Sequence, residues 1–300
     1  MTQPLKIALL TLITLMGLVS GCASNPVATT SEPALLDEQI YAQALNRGVV
    51  YQVLVAETAF QQGRWDLAAQ LYLHIAITSD DANLSARASE MALYTGNNEL
   101  IFAAALRWSE LAVHDPKPKV LMALCFLKNN QPQEALAVIT QGLKDSPNDV
   151  ELLYFRGIIA ANNNQYDLAE KDWRRVLTLQ PDHAPTLNAL GFALTITTKN
   201  YTQALALIQR ANRLDPNNPL ILDSLGWVEF HLGKIQSAIT HLTQAWTLMS
   251  DPEIAAHLGE VLWSSGHKNK AITLWQESLD LYPDHQILRE TVQRLYGPHE

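Results

Sequence analysis

The chain is poor in cysteine: of 300 residues only Cys22 and Cys125 are cysteines. Two thiols cannot build a disulfide framework or a four-cysteine metal site. Basic side chains are also in deficit, with 21 Lys and Arg against 30 Asp and Glu and a net charge of −9. That balance excludes nucleic acid as a partner, because its binding rests on neutralising phosphates. No phosphate-cradling Gly-x-x-x-x-Gly-Lys-Ser/Thr, no His-Glu-x-x-His and no Gly-x-Ser-x-Gly occurs, so the familiar catalytic signatures are missing. None of the nine histidines pairs at i, i+4 or with a cysteine as a zinc site requires. His231, His241, His257 and His267 therefore read as surface or turn residues, and no catalytic group, metal or cofactor is expected.

Against these absences stands a period. Ala169, Ala204, Ala238 and Ala271 follow one another at 35, 34 and 33 residues, and Gly157, Gly191, Gly226 and Gly259 precede them in turn. Two apolar-periodic stretches joined by a short turn every 34 residues or so form the signature of a helix–turn–helix array, here resembling tetratricopeptide repeats. Glycine on the first helix and alanine on the second let two helices approach closely. Asn162 to Gln165, Thr197 to Asn200, Gly233-Lys234 and Ser264 to Gly266 supply turn chemistry between them. Pro147, Pro181, Pro216 and Pro283 stand where the second helices must end. Ser250 takes that place once, with Pro252 two residues on. Backward extension through Ala135 with Ala123, Ala104 with Trp108, and Trp65 to Ala68 gives about seven units between roughly residues 48 and 284. A closing helix from about Gln286 to Leu295 would turn Arg289, Glu290, Gln293 and Arg294 to water, as the end of a stacked array requires. The expected class is all-α, a solenoid of about seven helix pairs over residues 35–300, in a right-handed superhelix.

Residues 1–21 read as a lipoprotein signal peptide. Lys6 precedes the apolar run Ile7–Leu18, which is shorter than the roughly 20 apolar residues of a membrane span. The run ends in Leu18-Val19-Ser20-Gly21-Cys22, which resembles the bacterial lipobox and makes Cys22 the expected lipid-attachment residue. Several acyl chains anchor a protein stably where one does not. Ala23 and Ser24, by analogy with enterobacterial sorting, direct such a protein to the outer membrane, facing the periplasm. Residues 22–34, with the Ser-, Thr- and Pro-containing stretch Ser24–Pro33, form a flexible tether reaching about 35 Å. Removing residues 1–21 takes away Lys6 and no acid, leaving 20 bases against 30 acids. Cys125, inside Leu121 to Leu127, reads as a small buried hydrophobe.

In a tetratricopeptide array the first helices line the concave face, and residues three or four apart share one side of a helix. Asn188, Phe192 and Thr195, then Asp223, Trp227 and Phe230, then Ala256, Glu260 and Trp263 fall on it. Aromatic anchors among acids suit an extended peptide or a partner helix carrying apolar and basic groups. Core packing of Trp227, Phe230 and Trp263 is the alternative role for these rings. Glu229 occupies a place that Leu194 and Leu262 fill in neighbouring units, and near a helix end it would be solvated.

Leu187 to Phe192, Ile221 to Trp227 and Asp251 to Trp263 resemble the C-terminal repeats of proteobacterial tetratricopeptide lipoproteins. Leu54 to Glu57, Trp65 to Tyr72 and Ala86 to Tyr94 resemble them further upstream. Among these proteins is the adaptor of a periplasmic carboxyl-terminal processing protease. The resemblance implies a non-catalytic scaffold that holds the protease at the outer membrane and presents substrates such as cell-wall hydrolases. Relatives of this kind are often much longer, and Glu229 departs from the aliphatic residue that they carry. Two other readings are a pilotin-like lipoprotein assisting secretin or type IV pilus assembly, and an envelope enzyme with unrecognised catalytic groups.

Overall fold

The computed structural model describes residues 32–297. The expected signal peptide and Cys22 lie outside them. Among the described residues there are sixteen α-helices and no strand. In chain order they are α1 (Glu32–Leu45), α2 (Val49–Gln61), α3 (Trp65–Thr78), α4 (Ala82–Thr95), α5 (Asn98–Leu111), α6 (Pro116–Lys128), α7 (Pro132–Asp145) and α8 (Val150–Asn162), followed by α9 (Tyr166–Leu179), α10 (Ala184–Thr197), α11 (Tyr201–Leu214), α12 (Pro219–His231), α13 (Ile235–Leu248), α14 (Pro252–Ser264), α15 (Lys268–Leu281) and α16 (Gln286–Tyr296). Helix α1 begins inside the segment expected to be tether.

The backbone marks every repeat at its turn, and every repeat but the first also at its start. Gly63, Gly96, Asn130, Asn164, Lys199, Gly233 and Gly266 are left-handed, with φ between 56° and 85°. They stand 33, 34, 34, 35, 34 and 33 residues apart, one in each turn from a first to a second helix. Such a turn costs glycine nothing, asparagine little and lysine most. The second mark is a cap. Asp81, Asp115, Asp149, His183, Asn218, Asp251 and His285 precede α4, α6, α8, α10, α12, α14 and α16, and each side chain accepts a hydrogen bond from a backbone N–H of the first turn. Each cap is worth about 1 kcal/mol. Helices α7, α9, α11 and α15 end two residues before Pro147, Pro181, Pro216 and Pro283, because a residue preceding proline avoids the helical conformation. Pro252 has the opposite role: with Pro116 and Pro219 it opens a helix, where its missing N–H costs no bond.

The chain divides into two compact units after Asn163. In the first, one core joins Ala56, Leu71, Ile75, Met91 and Ala104 with Cys125. Burial pushes the Cys125 thiol up to about 11, so it is protonated and unreactive at neutral pH. In the second unit, α10, α12, α14 and α16 pack side by side in that order, each on the next. A second helix packs on each of the first three.

The glycine–alanine period has a direct geometric cause in this unit. A Cβ on Gly191 would lie 2.6 Å from Ile208 Cγ1 and 3.1 Å from the Ala204 carbonyl oxygen. On Gly226 it would lie 2.5 Å from Leu242 Cγ and 3.1 Å from the Ala238 oxygen, and on Gly259 only 1.9 Å from Trp275 Nε1. In each pair the glycine is a seat for the side chain four residues after the alanine. Trp275 and Leu242 are fully buried as a result. Helix α16 closes the unit with Ile287, Leu288 and Thr291 inward and Arg289, Glu290, Gln293 and Arg294 exposed.

Candidate functional site

The side-by-side first helices of the second unit place residues from α10, α12 and α14 around one imidazole. His257 on α14 is buried, and its Nδ1 proton faces both oxygens of Asp223 on α12, at 2.9 and 3.0 Å. The Trp227 indole stacks on the ring at 4.2 Å and 20°. Phe192 on α10 approaches from the other repeat, 6.2 Å between centroids. Burial opposes a charge on this imidazole, but the Asp223 carboxylate, followed by Glu253 and Glu260, outweighs it and raises the pKa to about 9. At neutral pH the group is an imidazolium held between a carboxylate and an aromatic face, so a hydrogen-bonded ion pair and a cation–π contact fix the same ring. This corrects the sequence expectation for His257, which is neither a surface nor a turn residue. Its partner, Asp223, lies 34 positions away and is spent internally.

Around this hub the aromatic surface continues outward. Trp227 meets Phe230 at 5.6 Å and the edge of His231 at 4.8 Å, and His231 stacks flat on Tyr201 at 5.1 Å. Phe192, Trp227 and Phe230 are each part-exposed. Asn188, one turn before Phe192, has a shielded Oδ1 that accepts no hydrogen bond. The face thus offers rings with fixed orientation. Rigid aromatics with few rotatable bonds lose little entropy on contact with a partner.

The other two expected residues are engaged by the closing helix. Glu260 accepts a bond from Arg294 of α16 at 2.5 Å. Trp263 lies between Trp275, at 5.8 Å, and Tyr296, at 5.7 Å, with the Lys268 ammonium 4.8 Å above the ring. Helix α16 takes the place that the first helix of a further repeat would have, and covers this end of the face. Glu229 is also corrected: it is buried rather than solvated, and accepts a bond from His241 Nδ1 at 2.7 Å. Among the described residues no group of three or more His, Cys, Asp or Glu could hold a metal ion, and no helix is long and apolar enough to cross a membrane.

Sequence reasoning missed the ion pairs because their members lie on different helices, Asp223 and His257 in successive repeats and Glu229 and His241 on the two helices of one repeat. A signal existed: Asp223 and His257 are both polar at helix positions flanked by apolar residues.

A stack of helix pairs with an aromatic face defines an all-α helical-repeat protein. The comparisons agree. The tetratricopeptide-repeat family model matches residues 120–184 and 159–219. The TPR repeat-containing protein PA4667 of Pseudomonas aeruginosa is 44% identical over 178 residues, 59% of this chain and 30% of that protein. The chain spans about a third of the length of the curated relatives it matches. Among solved structures, the APC/C hetero-tetramer Cut9-Hcn1 superposes with a TM-score of 0.66 at 16% identity, covering 87% of this chain and 52% of that one. A tetratricopeptide repeat protein from Parabacteroides merdae gives 0.65 at 13%, covering 85% and 98%. These likenesses establish the fold. Residues 120–219 match tetratricopeptide repeats, and the fold class of the chain is the all-α tetratricopeptide-repeat solenoid.

Proposed function

We propose that this protein is a non-catalytic, lipid-anchored adaptor of the bacterial outer membrane, facing the periplasm, that holds a carboxyl-terminal processing protease and presents cell-wall hydrolase substrates to it. The anchor is Cys22, acylated after removal of residues 1–21. The partner lies on the first-helix face of the second unit, with its apolar side chains on Phe192, Trp227 and Phe230.

One observation carries the reading. Three successive repeats contribute to a single aromatic cluster whose central ring is pinned by a buried ion pair, while the surrounding rings keep part of their surface free. A surface organised in advance and left open suits binding, because little ordering remains to be done when the partner arrives. The acidic balance of the chain favours a partner with basic groups beside its apolar ones.

The test is affinity capture from an envelope extract with the mature chain, followed by a proteolysis assay with any protease recovered. Recovery of a processing protease whose cleavage is accelerated by the chain supports the reading. Recovery of a secretin, or turnover of an envelope substrate by the chain alone, overturns it.

A further inference from the structure

The start of the first unit exposes a face that later repeats bury wholly or in part. Twelve residues before the left-handed turn residue of their repeats, Pro118, Leu152, Leu187, Ile221 and Ile254 are buried and Leu84 is partly so. Ile254 packs on the preceding repeat, against Leu222 and Ala245. Nine residues before the turn, Leu121 and Leu190 are buried, and Leu121 packs on Ala105 and Trp108 of α5, again the preceding repeat. In α2 the same two positions are Tyr51 and Leu54, and they are 48% and 62% exposed. Val50 beside them is 75% exposed, and Val49 42%. Helix α1 packs on α2 and α3 without covering this stripe, and adds Leu36 at 52%.

We infer that this stripe is the interface of a homodimer, in which the α2 face of one copy packs on the α2 face of a second. Two features point to a second copy. The exposed side chains amount to on the order of 500 Å² per copy, so a symmetric pair buries about 1,000 Å², the lower bound for a specific interface. A stripe of this kind is self-complementary about a twofold axis, whereas a head-to-tail contact needs an apolar seat at the other end of the chain. There the outward residues of α16 are mostly polar, Arg289, Glu290, Gln293 and Arg294, with the single ring of Tyr296 exposed among them, too little for such a seat. Thr58, one turn after Leu54, is polar and exposed where later repeats carry buried apolar residues from Met91 to Val261. It keeps the separated face tolerant of water, so association is reversible.

The test is the molar mass of the Cys22→Ser chain, by light scattering without detergent, between about 1 and about 100 µM. The mass should rise toward twice the monomer value across that range. Leu54→Asp should weaken association at least about tenfold with unchanged helicity, since the side chain is exposed in the monomer. Leu281→Asp, at a leucine 67% exposed in the second unit, should leave the dimer as it is. A monomer at every concentration overturns the inference. So does a dimer indifferent to Leu54→Asp, or adsorption to lipid vesicles through this face with no dimer.

Discussion

Asp223 and His257, 34 residues apart in the chain, form a buried pair with Nδ1 2.9 Å from Oδ1. The bond joins α12 to α14 across a repeat boundary. Because the folded pKa of His257, about 9, lies above the roughly 6.5 of an unfolded histidine, the pair's contribution is complete below about pH 6.5. It is lost as pH rises through 9. Asp223→Asn removes the carboxylate and leaves burial opposed only by Glu253 and Glu260, so His257 should then titrate well below 9. The variant should lose about 2 kcal/mol at pH 6 and much less at pH 9.5. Ring-proton titration by NMR and denaturation at the two pH values check this; a loss equal at both would mean that the pair carries no charge.

The glycine seats predict a graded series. Gly259→Ala drives a methyl group into the Trp275 indole and should cost about 3 kcal/mol. Gly191→Ala meets the more adaptable Ile208 and should cost about 1 to 2 kcal/mol. Gly48→Ala faces open space and should cost well under 1 kcal/mol. Urea denaturation of the three variants gives the order, and a small effect at Gly259 would show that the helices can move apart freely.

Lys199 pays for a conformation that Gly233 and Gly266 adopt without strain. Lys199→Gly should therefore stabilise the chain by about 1 kcal/mol, and Gly233→Ala should destabilise it by a similar amount. Thermal unfolding of both variants decides; a loss of stability in Lys199→Gly would indicate that the lysine side chain contributes more than its backbone costs.

The legible part of this fold was whatever recurs within one repeat. The alanine and glycine positions gave the helix pairs, and the prolines gave the ends of the second helices, because each expresses a local backbone or packing rule that acts over a few residues. The closing helix and the buried Cys125 were legible for the same reason. What escaped was chemistry between helices. His257 and Glu229 looked like polar residues on helices, and only their neighbours in the fold, Asp223 and His241, make their burial tolerable. Phe192, Trp227 and Phe230 of the expected face gather in one cluster around His257. The cover that α16 lays over Glu260 and Trp263 depends on a helix outside the periodic pattern, so the period carried no trace of it.

Anchoring predicts a fractionation result. Cys22→Ser should move the protein from the membrane fraction to the soluble periplasm, since a single change removes every acyl chain. Sedimentation with membranes after that substitution would show that residues 18–22 are not a lipobox.

The central claim, that the aromatic face of the second unit seats a protein partner, is tested most directly by titrating the processing protease with the wild-type chain and with Phe192→Ala and Trp227→Phe. The account predicts saturable binding to the wild type and a loss of at least about tenfold in Phe192→Ala. It predicts near-wild-type binding in Trp227→Phe, where an aromatic ring is kept, with helicity and unfolding midpoint reported for each variant. Equal binding by all three chains, or no binding by the wild type, would contradict it.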